Sequence, residues 1–186
     1  MTNDLTIASS TTLDAGSNRG ITVGGNFANS GTFTDQQGTV TFNGTGTLTS
    51  NASELYNITT SGTGTLTLGD ALTITNDLTI GANTTLDVSG SSYSIGVKGN
   101  WSNSGTFTPA SGTVTFNGSA AQTISGTNTF YDLTINNTHG SSKVSANGST
   151  LTVQDDLLVS DGIFESASDY VDVTICLLYT SPSPRD

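Results

Sequence analysis

The chain has 186 residues, of which only 10% are charged, and Gly, Ser, Thr and Asn supply more than half of it. This composition excludes a coiled coil or a helical bundle, and the net charge of -11, from 4 Lys and Arg against 15 Asp and Glu, excludes nucleic acid and anionic membranes as expected partners. No apolar run approaches the roughly 18 residues of a transmembrane helix, and residues 1–4 lack the basic and apolar regions of a signal peptide, so we expect any export signal to lie outside this sequence.

Long repeats run through the chain. The segment 3–7 (Asn-Asp-Leu-Thr-Ile) returns unchanged at 76–80, and 25–34 returns with two substitutions at 99–108. Further matches join 38–44 to 112–118 and 55–59 to 130–134. A third copy begins at Asp155. We therefore predict units at about 3–75 and 76–154 and a truncated third unit at 155–175, which follow one another without linkers.

Within each unit, apolar residues alternate with threonine at period two, which predicts short β-strands. Val40 and Phe42 are the apolar members of one such run, and Leu66 and Leu68 of another. Asn-Gly, Ser-Gly, Gly-Thr and Gly-Asp dipeptides separate the runs, and we expect them to supply the positive φ of tight turns.

Two all-β folds accommodate such strands. Tandem antiparallel β-sandwiches need longer strands and a compact core in each domain, whereas a parallel β-helix buries only a few side chains in each turn of roughly 20 residues against the turns above and below. The brief apolar runs favour the second. We predict one continuous single-stranded parallel β-helix (β-solenoid) over residues 1–175, with three or four turns in each full unit, and keep the sandwich series as the alternative.

Residues 176–186 (CLLYTSPSPRD) differ abruptly from the rest, with the only Cys and two of the three Pro. This segment resembles the translation, in one reading frame, of the transposase mosaic-end adapter used to prepare sequencing libraries. We therefore treat it as a non-native tail of a metagenomic fragment whose gene continues, with end-to-end continuation into missing repeats. Without the tail the chain has no cysteine, which removes disulfides, thiolate metal sites and a Cys nucleophile.

Three segments carry a family resemblance: 99–108, 112–118 and 130–137. They resemble the β-strand-repeat surface proteins of bacteria, including filamentous-haemagglutinin-like and autotransporter-passenger adhesins. The resemblance covers essentially residues 1–175. It implies a long extracellular stalk, secreted or displayed at the cell surface.

Glycan-cleaving β-helix enzymes pair carboxylates at close distance or hold calcium with carboxylates beside a basic residue. Most acids here stand singly at predicted turns: Asp14, Asp35, Glu54, Asp70 and Asp87. Asp14 and Asp87 occupy the same repeat position, as do Asp4 and Asp77. A repeated residue fits a turn former better than one member of a unique catalytic pair.

The remaining polar candidates are also interpreted as structural. His139, the only histidine, is expected to be a solvated loop residue. The densest acidic group has neither the EF-hand nor the nonapeptide calcium spacing, and consists of Asp155, Asp156, Asp161, Glu165, Asp169 and Asp172. We assign no catalytic, cofactor-binding or metal-binding residue.

Thr-x-Thr pairs recur in the sequence. Threonine pairs stacked on one flat face would resemble the ice-binding surface of some antifreeze proteins. The pairs are Thr32/Thr34, Thr39/Thr41, Thr47/Thr49, Thr65/Thr67 and Thr73/Thr75. Their irregular spacing predicts that they point from different faces, and outward threonine suits any strand.

Aromatic residues recur between units: Phe27 and Trp101, Phe33 and Phe107, Phe42 and Phe116, Tyr56 and Tyr131. Their inward-alternating positions predict stacked rungs of the core. An exposed platform for a sugar ring is the alternative, with Trp101 or Tyr131 as the candidates.

These features predict a non-enzymatic structural or adhesive segment of a repetitive bacterial surface or secreted protein, with host-surface, glycan or biofilm components as partners. The alternatives are a solenoid that binds ice or glycan and, third, a polysaccharide-active enzyme. A cleft that brings carboxylates to Arg19, Lys98 or Lys143 would favour the enzyme. A rod coated uniformly with Thr, Ser and Asn would favour the stalk.

Overall fold

A computed structural model describes residues 3–138, 143–146, 150–166 and 173–175. All regular structure in these residues is β-strand, in short segments of three to five residues. The strands follow one another around three faces of a solenoid, so that each passage over the three faces completes one turn.

Every strand belongs to one of the three faces. The first face contains β1 (Leu5–Ile7), β4 (Phe27–Asn29), β7 (Gly46–Thr49), β9 (Thr65–Leu68), β12 (Thr85–Asp87), β15 (Thr106–Thr108), β18 (Asn128–Phe130), β21 (Leu151–Val153) and β24 (Val173–Ile175). The second face contains β2 (Thr12–Asp14), β5 (Thr32–Thr34), a single bridge at Leu55, β10 (Leu72–Ile74), β13 (Ile95–Val97), β16 (Thr113–Phe116), β19 (Asp132–Asn136) and β22 (Leu157–Asp161). The third face contains β3 (Ile21–Val23), β6 (Thr39–Phe42), β8 (Asn57–Thr60), β11 (Leu78–Ile80), β14 (Trp101–Asn103), β17 (Gln122–Gly126), β20 (Lys143–Ala146) and β23 (Ile163–Ser166).

Strand pairing confirms the predicted β-solenoid, which has about 8 turns. Every pair of neighbouring strands in the described residues is parallel, and each strand pairs with the equivalent strand one turn away. The separation of paired residues ranges from 18 (Thr39 with Asn57) to 25 (Asn136 with Asp161). Antiparallel sandwiches require hairpin pairing, so that alternative is wrong.

The alternation of the sequence becomes an alternation of burial. In β9, Leu66 and Leu68 are each 2% exposed, while Thr65 and Thr67 lie outward. One or two such side chains on each strand fill the interior from Ile7 to Val153 and form a single core. A buried Leu, Ile or Phe contributes about 1.5–3 kcal/mol. One turn of the solenoid has too few of these side chains to offset the entropy cost of ordering its backbone, so each turn depends on its neighbours for stability.

The predicted aromatic core is confirmed for the phenylalanines and Trp101. The prediction is wrong for Tyr56 and Tyr131, which are half-buried outside the core. The rungs also differ from the prediction. Phe27 packs edge-on against Phe33 at 5.3 Å between ring centroids, and Trp101 packs in the same way against Phe107 at 4.9 Å. Both clusters are buried. Phe27 nevertheless lies on the first face and Trp101 on the third, so the equivalent residues do not stack on each other.

This difference follows from the length of the repeat. The first unit, 3–75, contains ten strands and the bridge at Leu55, and the second, 76–154, contains eleven strands. Eleven strand positions on three faces amount to three turns and two further faces. Each unit therefore begins on a different face: β1 on the first, β11 on the third and β22 on the second.

Buried amides close the corners beside the aromatic clusters. In the second unit, Asn128 Oδ1 accepts hydrogen bonds from Trp101 Nε1 (2.7 Å) and Asn103 Nδ2 (3.2 Å). In the first unit, Asn29 Nδ2 donates to Ser53 Oγ (2.9 Å). A tryptophan thus occurs with an asparagine acceptor, and the equivalent phenylalanine, which has no donor, occurs with a serine.

Most left-handed backbone positions in the described residues are not glycine. Nine described non-glycine residues have positive φ, including Ala52 (59°) and Ala110 (45°), against four glycines. The prediction that glycine dipeptides supply the positive φ is therefore wrong for most of these positions. Glycine is required instead where turns approach closely: a Cβ on Gly44 would overlap the carbonyl oxygen of Gly24, and one on Gly64 would overlap that of Gly44.

Candidate functional surface

Polar side chains on the outside connect successive turns. In the second unit, Asp77 Oδ1 accepts from Asn100 N (2.7 Å), and Asn100 Oδ1 accepts from Thr123 N (2.9 Å). The first unit repeats this arrangement with Asp4, Asn26 and Thr47, at 2.8 and 2.9 Å. These side chains satisfy backbone donors of the next turn, so they hold the solenoid together rather than form a site.

The two pairs of repeated aspartates therefore have different roles. Asp14 and Asp87 form the predicted tight turns of the backbone. Asp14 accepts a hydrogen bond from Gly16 N and Asp87 accepts one from Ser89 N, each two residues later and each at 2.8 Å. Asp4 and Asp77 were predicted as turn formers as well, and this is wrong: their carboxylates accept from residues 22 and 23 positions later, in the next turn.

The other single acids also bond to neighbouring turns. Asp70 accepts from Ser50 N and Asn51 N at 2.8 and 2.5 Å. Asp35 accepts from Tyr56 N. These carboxylates thus satisfy backbone donors of the neighbouring turn of the solenoid.

The basic residues do not converge on a group of carboxylates in the described part of the chain. Lys98 pairs with Glu54 at 3.1 Å, and Lys143 pairs with Glu165 at 2.7 Å, and all four side chains are at least 39% exposed. Arg19 is exposed at a corner. Exposed pairs of this kind contribute about 0–1 kcal/mol each.

The acidic group near the C-terminus lies along the eighth turn. Asp155, Asp156, Asp161 and Glu165 are exposed, and no three His, Cys, Asp or Glu side chains come together as metal ligands among the described residues. His139, Asp169 and Asp172 lie outside the described residues, as does the tail 176–186.

The two aromatic candidates for sugar binding have different environments. Trp101 is 0% exposed in the core, so its proposed role in a sugar platform is wrong. Tyr131 is half-buried at a corner. Its pKa is raised above 10.0 by the hydrogen bond to Asp155, by the negative charge of that carboxylate and by burial, while a hydrogen bond with Ser111 acts in the opposite direction.

The threonine pairs are distributed differently from the prediction. Thr32/Thr34 and Thr73/Thr75 lie on or beside the second face and Thr39/Thr41 on the third, as expected for different faces. Thr47/Thr49 and Thr65/Thr67, however, lie in neighbouring strands of the first face, where Thr47 pairs with Thr67. The expectation that all five pairs diverge is therefore wrong for these two.

A larger threonine array results, which sequence comparison at the spacing of the long repeat did not reveal. Thr65 pairs with Thr85, and Thr85 with Thr106, on four consecutive strands that begin at β7. Steps of 20 and 21 residues, the length of one turn, connect these positions in the sequence. The signal that could have found the array is therefore the period of the turn.

The described residues enclose no pocket. They also contain no helix of the length and apolarity that crossing a membrane would require. Comparison of the chain with known protein families, curated proteins and solved structures finds no match. The surface itself, rather than a cavity or a relative, is thus the basis for assigning a function.

Proposed function

We propose that the chain is a non-enzymatic structural and adhesive segment of a repetitive bacterial protein that is secreted or displayed at the cell surface. The observation that carries the proposal is the polar coat of the solenoid, which is interrupted in the eighth turn by the exposed side chains of Leu158, Val159 and Ile163. On the third face, for example, Thr22, Thr41, Thr59 and Thr79 stand in one outward column through four turns.

Length is the property that such a stack supplies. Parallel strands are about 4.8 Å apart, so about eight turns extend roughly 38 Å along the axis. Each added turn lengthens the rod without a new kind of contact, because every turn packs only on its neighbours. A spacer that projects other parts of a surface protein needs this property.

The coat also supports the adhesive part of the proposal. Hydroxyl and amide groups that alternate with buried Leu, Ile and Val remain available to polyhydroxyl partners, and the net charge of -11 disfavours anionic ones. Host-surface, glycan or biofilm components are the proposed partners. The acids that hold adjacent turns together, such as Asp77 and Asp70, support a role other than catalysis.

Display of the chain on bacterial cells tests the adhesive and the non-enzymatic parts of the proposal. Bacteria would display the chain between an outer-surface anchor and an epitope tag, with a Gly/Ser linker of equal length as the matched control. We expect antibody to label intact cells, and adhesion to polysaccharide-coated surfaces and biofilm to exceed that of the linker control. Adhesion equal to the control would contradict the adhesive part, and release of reducing ends from a polysaccharide panel would contradict the non-enzymatic part.

A further inference from the structure

The first face carries an ordered array of threonines, called here the threonine array. Its members form two columns on or directly beside β7, β9, β12 and β15: Thr45, Thr65, Thr85 and Thr106 in one, and Thr47, Thr67, Asp87 and Thr108 in the other. Seven of the eight positions are threonine. The single exception is Asp87, whose Oδ1 accepts a hydrogen bond from Ser89 N (2.8 Å) in the tight turn that follows the strand.

The hydroxyls of this array are mostly free. Only Thr45 Oγ1 has a protein partner, Thr65 N at 3.3 Å. Among the described residues, no protein hydrogen bond reaches the hydroxyls of the other six threonines. On the third face, by contrast, side chains connect the turns: Asn100 Nδ2 donates to Asp77 Oδ1 (3.0 Å), and Thr123 Oγ1 donates to Asn100 Oδ1 (2.9 Å). The array therefore presents oxygen atoms and methyl groups to solvent.

The core fixes the positions of these groups. Leu48, Leu66 and Leu86, which alternate with the threonines along their strands, are 0–2% exposed. Threonine is β-branched and therefore stiff at χ1. The array is thus ordered before any ligand binds, and binding would cost little conformational entropy.

The spacing of the array follows from strand geometry. Rows are about 4.8 Å apart across the strands, and the two columns are about 6.7 Å apart along them. In ice, two O–H···O bonds of about 2.75 Å at the tetrahedral angle place second-neighbour oxygens about 4.5 Å apart, and the same geometry gives a layer repeat of about 7.3 Å. The two lattices agree to within about a tenth in both directions.

From these observations we propose that the first face, through the threonine array, binds the surface of ice. Its hydroxyls take the places of water oxygens in the lattice, and its methyl groups lie against the gaps between them. This function goes beyond the stalk, since a spacer needs no matching lattice, and it does not depend on the adhesive role.

Partition into ice tests the proposal with the full chain. A dilute solution is frozen slowly onto a cold surface, and protein in the ice is compared with protein in the remaining liquid, with a non-binding reference protein alongside. We expect the wild-type chain to be enriched at least fivefold over the reference. Thr67→Lys, in the middle of the array, is expected to lose that enrichment.

Thr59→Lys is the matched control, because Thr59 is also an outward, half-buried threonine in the middle of a strand, but on the third face. It should retain the wild-type enrichment. Circular dichroism verifies that each variant folds, and Thr106→Lys, at the exposed edge of the array, replaces Thr67→Lys if that variant does not. Asp87→Thr completes the array and should raise the enrichment by about twofold or more.

Three results would overturn the proposal. The first is wild-type partition equal to the reference, and the second is an equal loss in Thr67→Lys and Thr59→Lys. The third is retention on crystalline chitin or cellulose that depends on the first face, without enrichment in ice, which would assign the array to a crystalline glycan instead.

Discussion

The pair formed by Trp101 and Asn128 allows the strictest test of the core. Asn128 Oδ1 is the acceptor for the buried Trp101 Nε1, and the first unit replaces this pair by Phe27 and Ser53. We expect Asn128→Ser to leave the indole N–H without an acceptor, which costs about 1–3 kcal/mol because that group is fully desolvated.

The double-mutant cycle isolates this term. Asn128→Ser also removes the donors to Ser125 O and Gly126 O, both at 3.1 Å, and Trp101→Phe also reduces packing in the aromatic cluster. These losses occur in both backgrounds and cancel. In the Trp101→Phe background, with no N–H to satisfy, Asn128→Ser should therefore cost about 1–3 kcal/mol less than it does beside tryptophan.

Urea unfolding followed by far-UV circular dichroism measures the four free energies of unfolding, and equal m-values show that the same surface is exposed in each variant. Thr129→Ser, at the outward position next to Asn128, is the control and should change the free energy by less than about 0.5 kcal/mol. Costs of Asn128→Ser that agree within about 0.5 kcal/mol in the two backgrounds would refute the buried hydrogen bond.

Three further predictions concern corners and turns. Gly44→Ala should destabilise the chain by more than about 2 kcal/mol, because its Cβ would meet the backbone of the preceding turn of the solenoid. Gly90→Ala is the control and should be nearly neutral in the same urea assay, because a Cβ there would have nothing within 4 Å. Similar urea midpoints for the two variants would contradict the close approach at Gly44. Ala52→Gly should stabilise by about 1 kcal/mol, because alanine at φ 59° is strained, and a lower thermal midpoint would argue against this. The raised pKa of Tyr131 contributes stability that is fully present below about pH 10 and is lost as the pH rises through the folded-state pKa. The thermal midpoint should therefore fall less between about pH 9 and pH 12 in Asp155→Asn than in the wild-type chain. The same pH profile in both proteins would exclude this ionisation as the cause.

Fold class was predictable from the sequence because it follows from the period and the short length of the strands. Thr39-Val40-Thr41-Phe42 alternates at period two, and burial follows that alternation in β6. The apolar runs are also too brief for a sandwich core, which favoured stacking of turns. Period and length are properties of a single strand, and the alternation within one strand already indicates which of its side chains are buried.

Corner geometry and the partners of polar side chains were less predictable. Ala52 and Ala110 adopt left-handed backbone although nothing in their residue type favours it. Asp77 looks like a turn former in sequence, yet it bonds to Asn100, 23 residues later. Such partners depend on the register between turns, which the alternation of one strand does not contain.

The mismatch between the repeat and the turn determines where equivalent residues of the two units lie. A unit of eleven strand positions returns each residue to a different face, so that equivalent side chains, such as Asp14 and Asp87, stand on different sides of the solenoid. Repetition of the long unit alone therefore cannot build a column of one residue type. A column requires matches at the length of the turn, and Thr65, Thr85 and Thr106 satisfy that requirement across the boundary between the two units. Matches at the length of the turn also build the third-face column of Thr22, Thr41, Thr59 and Thr79. The threonine array differs from that column because a second column stands two residues further along the same strands, where Thr47 pairs with Thr67.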